Sequence, residues 1–177
     1  MPITKIREEI QIPEEVQVEV QGANIKVSGP KGEVSRTLDL RGISFRKEDD
    51  VIIIESNSTR RKRRATLGTS KSHLENMIRA VTDGFTYKLK VVYSHFPISV
   101  KVQDDRVEIH NFIGEQKPRV AKILGDTKVE VKGDELIVKG IDKEDVGQTA
   151  ANIEQVSQVR GRDPRVFQDG VYIIERP

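Results

Sequence analysis

Five consecutive cations, Arg60-Arg61-Lys62-Arg63-Arg64, are the group in this sequence whose type and spacing most demand a chemical explanation. Residues 59–71 add Lys71 and contain no acid, a local charge of +6. Residues 1–58, by contrast, hold 8 Lys and Arg against 11 Asp and Glu, a net charge of −3. The run precedes or opens a segment with helical periodicity, where the macrodipole disfavours cations by about 0.3–1 kcal/mol each. Mutual repulsion adds to that cost. Folding alone gives no reason to place the run there, so it points to an external polyanion. The bland alternative is a solvated basic loop. A second basic stretch, Arg160-Gly161-Arg162-Asp163-Pro164-Arg165, is broken by Gly and Pro and reads as a loop. Neither stretch is interleaved with aromatics. Such segments suit phosphate contacts and recognition of RNA shape better than stacking on single-stranded bases.

No catalytic constellation accompanies these cations. His73, His95 and His110 stand apart, and none has a partner at metal-ligand spacing. Ser70 and Ser72 lack the context of a nucleophile elbow. Neither a P-loop nor a dinucleotide fingerprint occurs, so no catalytic residue, metal or cofactor is expected. Gly29-Pro30-Lys31-Gly32 formally matches the GxxG clamp of KH domains. That clamp joins two helices, whereas both flanks here read as strands. A β-turn accounts for it better.

Composition narrows the class further. The chain has 177 residues, 36% apolar, 33% charged and 5% aromatic, with 30 Lys and Arg against 28 Asp and Glu. That length suits one ordinary domain or two small ones, and the apolar content is too high for wholesale disorder. The longest aliphatic run, Val51-Ile52-Ile53-Ile54, is far too short to span a membrane. The amino-terminal stretch alternates charges with single isoleucines and shows no apolar signal-peptide core. There is no Cys, hence no disulfide framework or thiolate site, which fits a reducing cytosol. The sequon Asn57-Ser58-Thr59 is then a chance match.

The elements that must position the cations follow from periodicity. Val16, Val18 and Val20 alternate with polar residues, a turn at 21–24 follows, and Ile25 and Val27 resume the alternation. After the Gly-Pro-Lys-Gly turn, Val34, Leu38 and Leu40 suggest a strand, then Ile43 and Phe45. Glu48-Asp49-Asp50 turns into a buried strand at 51–54. The period then changes to 3.6: Leu67, Leu74, Met77, Ile78 and Val81 share one helix face, closed at Asp83-Gly84.

The same grammar recurs. Ile98, Val100 and Val102 alternate, Asp104-Asp105 turns, and Val107 and Ile109 resume. Asn111-Phe112-Ile113-Gly114 takes the place of the first turn. Val129 and Val131 pair across a turn with Leu136–Val138. A second helix carries Val146, Ala150, Ile153 and Val156 and is opened by Asp142 as its N-cap. Leu67 and Val146 are 79 apart, as are Leu74 and Ile153. Shared order, turns and register predict an α+β fold of two tandem duplicated domains, each a mostly antiparallel sheet packed on one main helix. The expected domains are 1–82 and 83–177, with a hinge around Thr82–Phe85.

On the second helix, Gly147 permits a close backbone approach, and Gln148 and Asn152 lie one turn apart on one face. Their amides suit ribose or phosphate; the alternative is a solvated face. Ala150-Ala151 reads as close helix–sheet packing.

Ordered motifs along nearly the whole chain carry a resemblance. They are Ile12-Pro13-Glu14-Glu15-Val16, Val27-Ser28-Gly29-Pro30-Lys31-Gly32, Asn76-Met77-Ile78, residues 81–89 and His95-Phe96-Pro97-Ile98. Asn111–Glu115, Asp145–Gln155 and Arg162–Tyr172 complete the set. The sequence resembles the large-subunit ribosomal protein of the L-six family, in its archaeal or eukaryotic form. Arg165–Gly170 stands where the bacterial form has a tyrosine- and lysine-rich ending.

The resemblance implies two duplicated α+β domains and a cytoplasmic, ribosome-bound structural protein. It implies binding to large-subunit rRNA near the stalk base and factor-binding region, beside neighbouring large-subunit and stalk-base proteins, with no catalysis. In that family the carboxyl domain and the segment after its helix carry much of the rRNA contact. The expected rRNA-contacting set is Arg60, Arg61, Lys62, Arg63, Arg64, Lys71, Gly147, Gln148, Asn152, Arg160, Arg162 and Arg165. Rival readings are a free-standing KH-like nucleic-acid adaptor and an enzyme of unknown type.

Overall fold

The computed structural model describes residues 6–39 and 41–177; Leu40, expected in a strand, lies outside them. The chain divides into two compact units, Met1–Asp83 and Gly84–Pro177.

The first unit runs β1 (Ile6–Gln11), β2 (Gln17–Gln21), β3 (Asn24–Gly29), β4 (Gly32–Thr37), β5 (Ile43–Glu48), β6 (Val51–Ser56) and α1 (Arg61–Thr82). Its strands form two antiparallel sheets, ordered β1-β6-β5 and β2-β3-β4. Alternation on β3 and β6 turns Ile25, Val27, Ile52 and Ile54 inward, where they meet Leu67, Leu74, Met77 and Val81 of α1. The Gly-Pro-Lys-Gly segment is the β3–β4 turn. A Cβ on Gly29 would stand 2.7 Å from Val81 Cγ2, so only glycine lets the turn sit this close. The Lys31 N–H donates to the Val81 carbonyl at 2.9 Å, and its ammonium donates to the Asp83 carbonyl. The turn therefore caps the carboxyl end of α1, which stops at Gly84 with φ +69°.

The second unit runs β7 (Phe85–Val92), β8 (Ser99–Gln103), β9 (Arg106–His110), β10 (Arg119–Lys122), β11 (Lys128–Lys132), β12 (Glu135–Gly140), α2 (Lys143–Val156) and β13 (Gly170–Glu175). Its sheets are ordered β10-β9-β8 and β11-β12-β7-β13. The order β5-β6-β1 thus recurs as β11-β12-β7, and β2-β3-β4 as β8-β9-β10. Registers agree too: Ile10 faces Ile52 as Leu89 faces Leu136. Leu67 and Leu74 are buried as are Val146 and Ile153, at the spacing of 79. The α+β class and the tandem duplication hold.

Three features belong to the second unit alone. The β9–β10 connection is a longer loop, 111–118, containing a single 3₁₀ turn at Phe112–Gly114. A loop at 157–169 follows α2, and β13 then adds a fourth strand beside β7.

Candidate nucleic-acid interface

Arg60 is the N-cap residue of α1, its side chain makes no capping bond, and no acid occupies the first turn. The basic run therefore opens the helix instead of preceding it. Its members differ in what they touch. Arg63 is half-buried: its guanidinium donates to the Arg41 carbonyl and covers Gly42, where a Cβ would come within 2.8 Å of the Arg63 Cζ. Beside it, the Arg41 guanidinium holds Asp39 at 2.7–3.1 Å. That bond, with the Arg41 N–H and the nearby Arg63 charge, brings the Asp39 carboxyl down to about 2. Lys71 reaches across to β1 and pairs with Glu8 at 2.7 Å, which raises the ammonium above its ordinary range. Arg60, Arg61, Lys62 and Arg64 are exposed and have no carboxylate partner among the described residues.

In the second unit Asp142 caps α2, accepting from the Glu144 N–H at 2.7 Å and the Asp145 N–H at 3.4 Å. What approaches Gly147 is internal: a Cβ there would lie 3.2 Å from the Tyr87 hydroxyl. Gln148 and Asn152 share a face, as their spacing predicts, and bond to one another at 2.9 Å. The Asn152 amide also donates to the Lys122 carbonyl at 3.0 Å, tying α2 to β10. Ala150 is fully buried in the helix–sheet contact.

The loop after α2 is held by contacts that the spacing of its residues does not announce. Asp169 is 1% exposed and accepts from the backbone N–H groups of Ser94 (2.9 Å) and His95 (3.1 Å) and from His95 Nδ1 (2.7 Å). Burial pushes this carboxyl up, but the three hydrogen bonds prevail and hold it at about 2. The His95 ring stacks on Phe167, with centroids 4.5 Å apart and planes 22° apart. The Arg162 guanidinium lies 4.8 Å from the centroid of the same Phe167 ring. No aromatic is interleaved within the basic stretch itself, but the fold sets the Phe167 ring that follows it against both Arg162 and His95. Arg165 is committed to Asp163 through two bonds of 2.9 and 3.1 Å, while Arg160 has no carboxylate partner among the described residues. Arg119 was also silent in the sequence. It stacks 4.2 Å from the Phe112 centroid, pairs with Glu115 at 2.6 Å, and donates to the Val156 and Gln158 carbonyls at the end of α2. A cation there complements the helix dipole.

Exposed cations at the opening of α1 and in the loop after α2 suit contacts with phosphate. The family described as Ribosomal protein L6 matches residues 12–84, which run through the first unit to its boundary, and 96–170, which lie in the second. The chain belongs to the ribosomal protein L6 family. It is 51% identical to the large ribosomal subunit protein uL6 of Methanothrix thermoacetophila, covering 98% of this chain and 99% of that one. The proteins of the same name from Staphylothermus marinus (53%, covering 96% and 94%) and Methanobrevibacter smithii (50%, covering 97% and 96%) agree. Such relatives fit the archaeal form that the tail suggested. Membership makes the chain a structural ribosomal protein and not an enzyme, and RNA binding is consistent with the family. No helix among the described residues is long and apolar enough to cross a membrane.

Proposed function

We propose that the chain is a structural constituent of the large ribosomal subunit that binds its rRNA near the stalk base and the factor-binding region. Neighbouring large-subunit and stalk-base proteins are its other partners. The observation that carries this reading is the opening of α1. Four exposed cations stand at the positive end of a helix, without an acid in the first turn. A polyanion relieves both the repulsion and the dipole conflict, and phosphate is the polyanion of the ribosome.

Within the wider expected set, pairing with carboxylates ranks the residues. Arg60, Arg61, Lys62, Arg64, Arg160 and Arg162 have charge to offer. Lys71 and Arg165 spend theirs on the Glu8 and Asp163 carboxylates, while the Arg63 guanidinium is held by the Arg41 carbonyl; all three contribute by fixing local shape. Gly147, Gln148 and Asn152 form a surface whose amides already bond to each other and to β10. The KH-like reading loses its support, because the GxxG segment is a hairpin turn capping α1. Sedimentation of the endogenous protein tests the proposal. It should travel almost wholly with large subunits; a mostly free pool would favour an adaptor.

A further inference from the structure

The two units share their strands, sheets and helix, so what one has and the other lacks marks added work. In the first unit the turn between β3 and β4 is two residues, Pro30 and Lys31. At the same place the second unit spends residues 111–118 and accepts unfavourable backbone conformations: Asn111 at φ +57° and Ile113 at φ +50°, followed by Gly114 at φ +75°. A β-branched residue in the left-handed region is costly, and such conformations persist where the surroundings enforce them for a purpose. Three loops hold one another at this end. The Asn111 amide donates to the Pro97 carbonyl at 3.0 Å, and the Asp169 bonds tie the tail to Ser94 and His95.

This construction presents aromatic rings to solvent. The distal edge of the Phe96 ring lies 3.4–3.6 Å from where a Cβ on Gly114 would stand, yet Phe96 is 42% exposed. Tyr93, at the start of the same loop, is 44% exposed. Tyr172, exposed to the same degree, donates its hydroxyl to the Gln168 carbonyl, whereas Phe96 has no polar atom of its own to keep it in water. The charges carried by these three loops favour an anionic, π-bearing occupant. Asp163, Glu115 and Asp169 are each engaged by Arg165, Arg119 and His95, whereas Arg160 and Lys117 have no carboxylate partner among the described residues. Arg162 is held on the Phe167 ring.

We propose that this end of the second unit takes an unpaired, unstacked nucleotide, its base stacked on Phe96 and its phosphate met by Arg162 and Arg160. The site rests on the rRNA reading above and sharpens it: this unit reads a single extruded base, whereas the cations of α1 meet backbone alone. Stacking on an aromatic side chain is sequence-tolerant, so the site selects for an unpaired base more than for its identity.

The test uses the full chain and an in vitro transcript of large-subunit rRNA, with tRNA as competitor. Phe96→Ala should weaken binding roughly 5- to 150-fold, the range for removing one base–aromatic stack. The slope of log affinity against log salt should stay unchanged, because the substitution removes no charge. Phe96→Tyr should bind within about twofold of wild type, since it keeps the ring. Phe96→Leu keeps apolar cover over Gly114 and should behave like Phe96→Ala, which separates stacking from loop collapse. One unpaired nucleotide should change its 2′-hydroxyl acylation on binding wild type and not on binding Phe96→Leu. Unchanged affinity in both Phe96→Ala and Phe96→Leu, with binding still weakened and its salt slope flattened by neutralising Arg60, Arg61, Lys62 and Arg64, overturns the stacking site and leaves the rRNA reading intact. No preference of the wild-type chain for the transcript over tRNA overturns that reading instead. Normal transcript affinity with loss of subunit association would put a protein on the ring, and also overturns the proposal.

Discussion

Helix α2 begins at Asp142, whose carboxylate accepts from the Glu144 and Asp145 N–H groups, and both of those residues are acidic. Helix α1, in the equivalent place of the first unit, begins at Arg60 with no capping side chain and a first turn of cations. The macrodipole favours the first arrangement and opposes the second. Both helices nonetheless pack the same register of buried residues on the same order of strands. The fold thus tolerates either charge at this position, and a favourable end is what it carries where nothing else is asked. α1 has the means to bear the cost, with 22 residues against 14 and a longer buried stripe.

The largest expected effects test whether the units are equivalent where they look equivalent. Leu74→Ala and Ile153→Ala each remove a fully buried side chain at the same register, and each should cost about 2–5 kcal/mol in denaturant unfolding. A cost below about 1 kcal/mol at either site would break the correspondence of the two helices.

Next comes a feature of the second unit alone. Asp169 sits at about 2 when folded, below its ordinary 3.8, so its contribution is present above pH about 4 and disappears as the pH falls toward 2. That shift corresponds to about 2–3 kcal/mol at neutral pH. Asp169→Asn should therefore lower stability by about that amount at pH 7, and urea titrations should show a flatter decline between pH 4 and 2. An equally steep decline in the variant would assign acid sensitivity to other carboxylates.

The caps should differ by less, but in a diagnostic way. Asp142→Ala should cost about 1 kcal/mol, the usual loss for an N-cap with real hydrogen bonds. Arg60→Ala should fall within about 0.5 kcal/mol of wild type, because its side chain caps nothing. Equal losses at the two positions would mean that Arg60 has a structural role.

The sequence carried the hairpins, both helix faces and the Asp142 cap, because alternation, 3.6-residue spacing and capping are local signals. It hid β1, where Arg7, Glu8 and Glu9 mask a strand whose inward residues are Ile6, Glu8 and Ile10. It also hid β7, with Phe85, Leu89 and Val91 buried, and β13, which has an irregularity between Ile173 and Glu175. These strands are fixed by partners far along the chain. Among the candidate residues, charge was legible and its use was not. Nothing near Lys71 announces Glu8, nothing near Arg63 announces the Arg41 carbonyl, and nothing near Phe167 announces His95. Each of those depends on a tertiary approach across at least 22 residues.

The opening of α1 is held for phosphate at a cost to the free protein, and that claim is open to direct test. Gln at Arg60, Arg61, Lys62 and Arg64 keeps helix propensity and removes charge, while Arg63 stays to hold the Arg41 carbonyl and cover Gly42. Free of RNA, that variant should be as stable as wild type or more so, by roughly 0–2 kcal/mol. The deciding measurement is the salt dependence of its binding to large-subunit rRNA. The log–log slope should flatten by about 0.7–0.9 for each phosphate that is no longer neutralised, or about 3 if all four cations each meet one. An unchanged slope, with the variant less stable than wild type, would contradict the claim and make the basic run a structural element of the first unit.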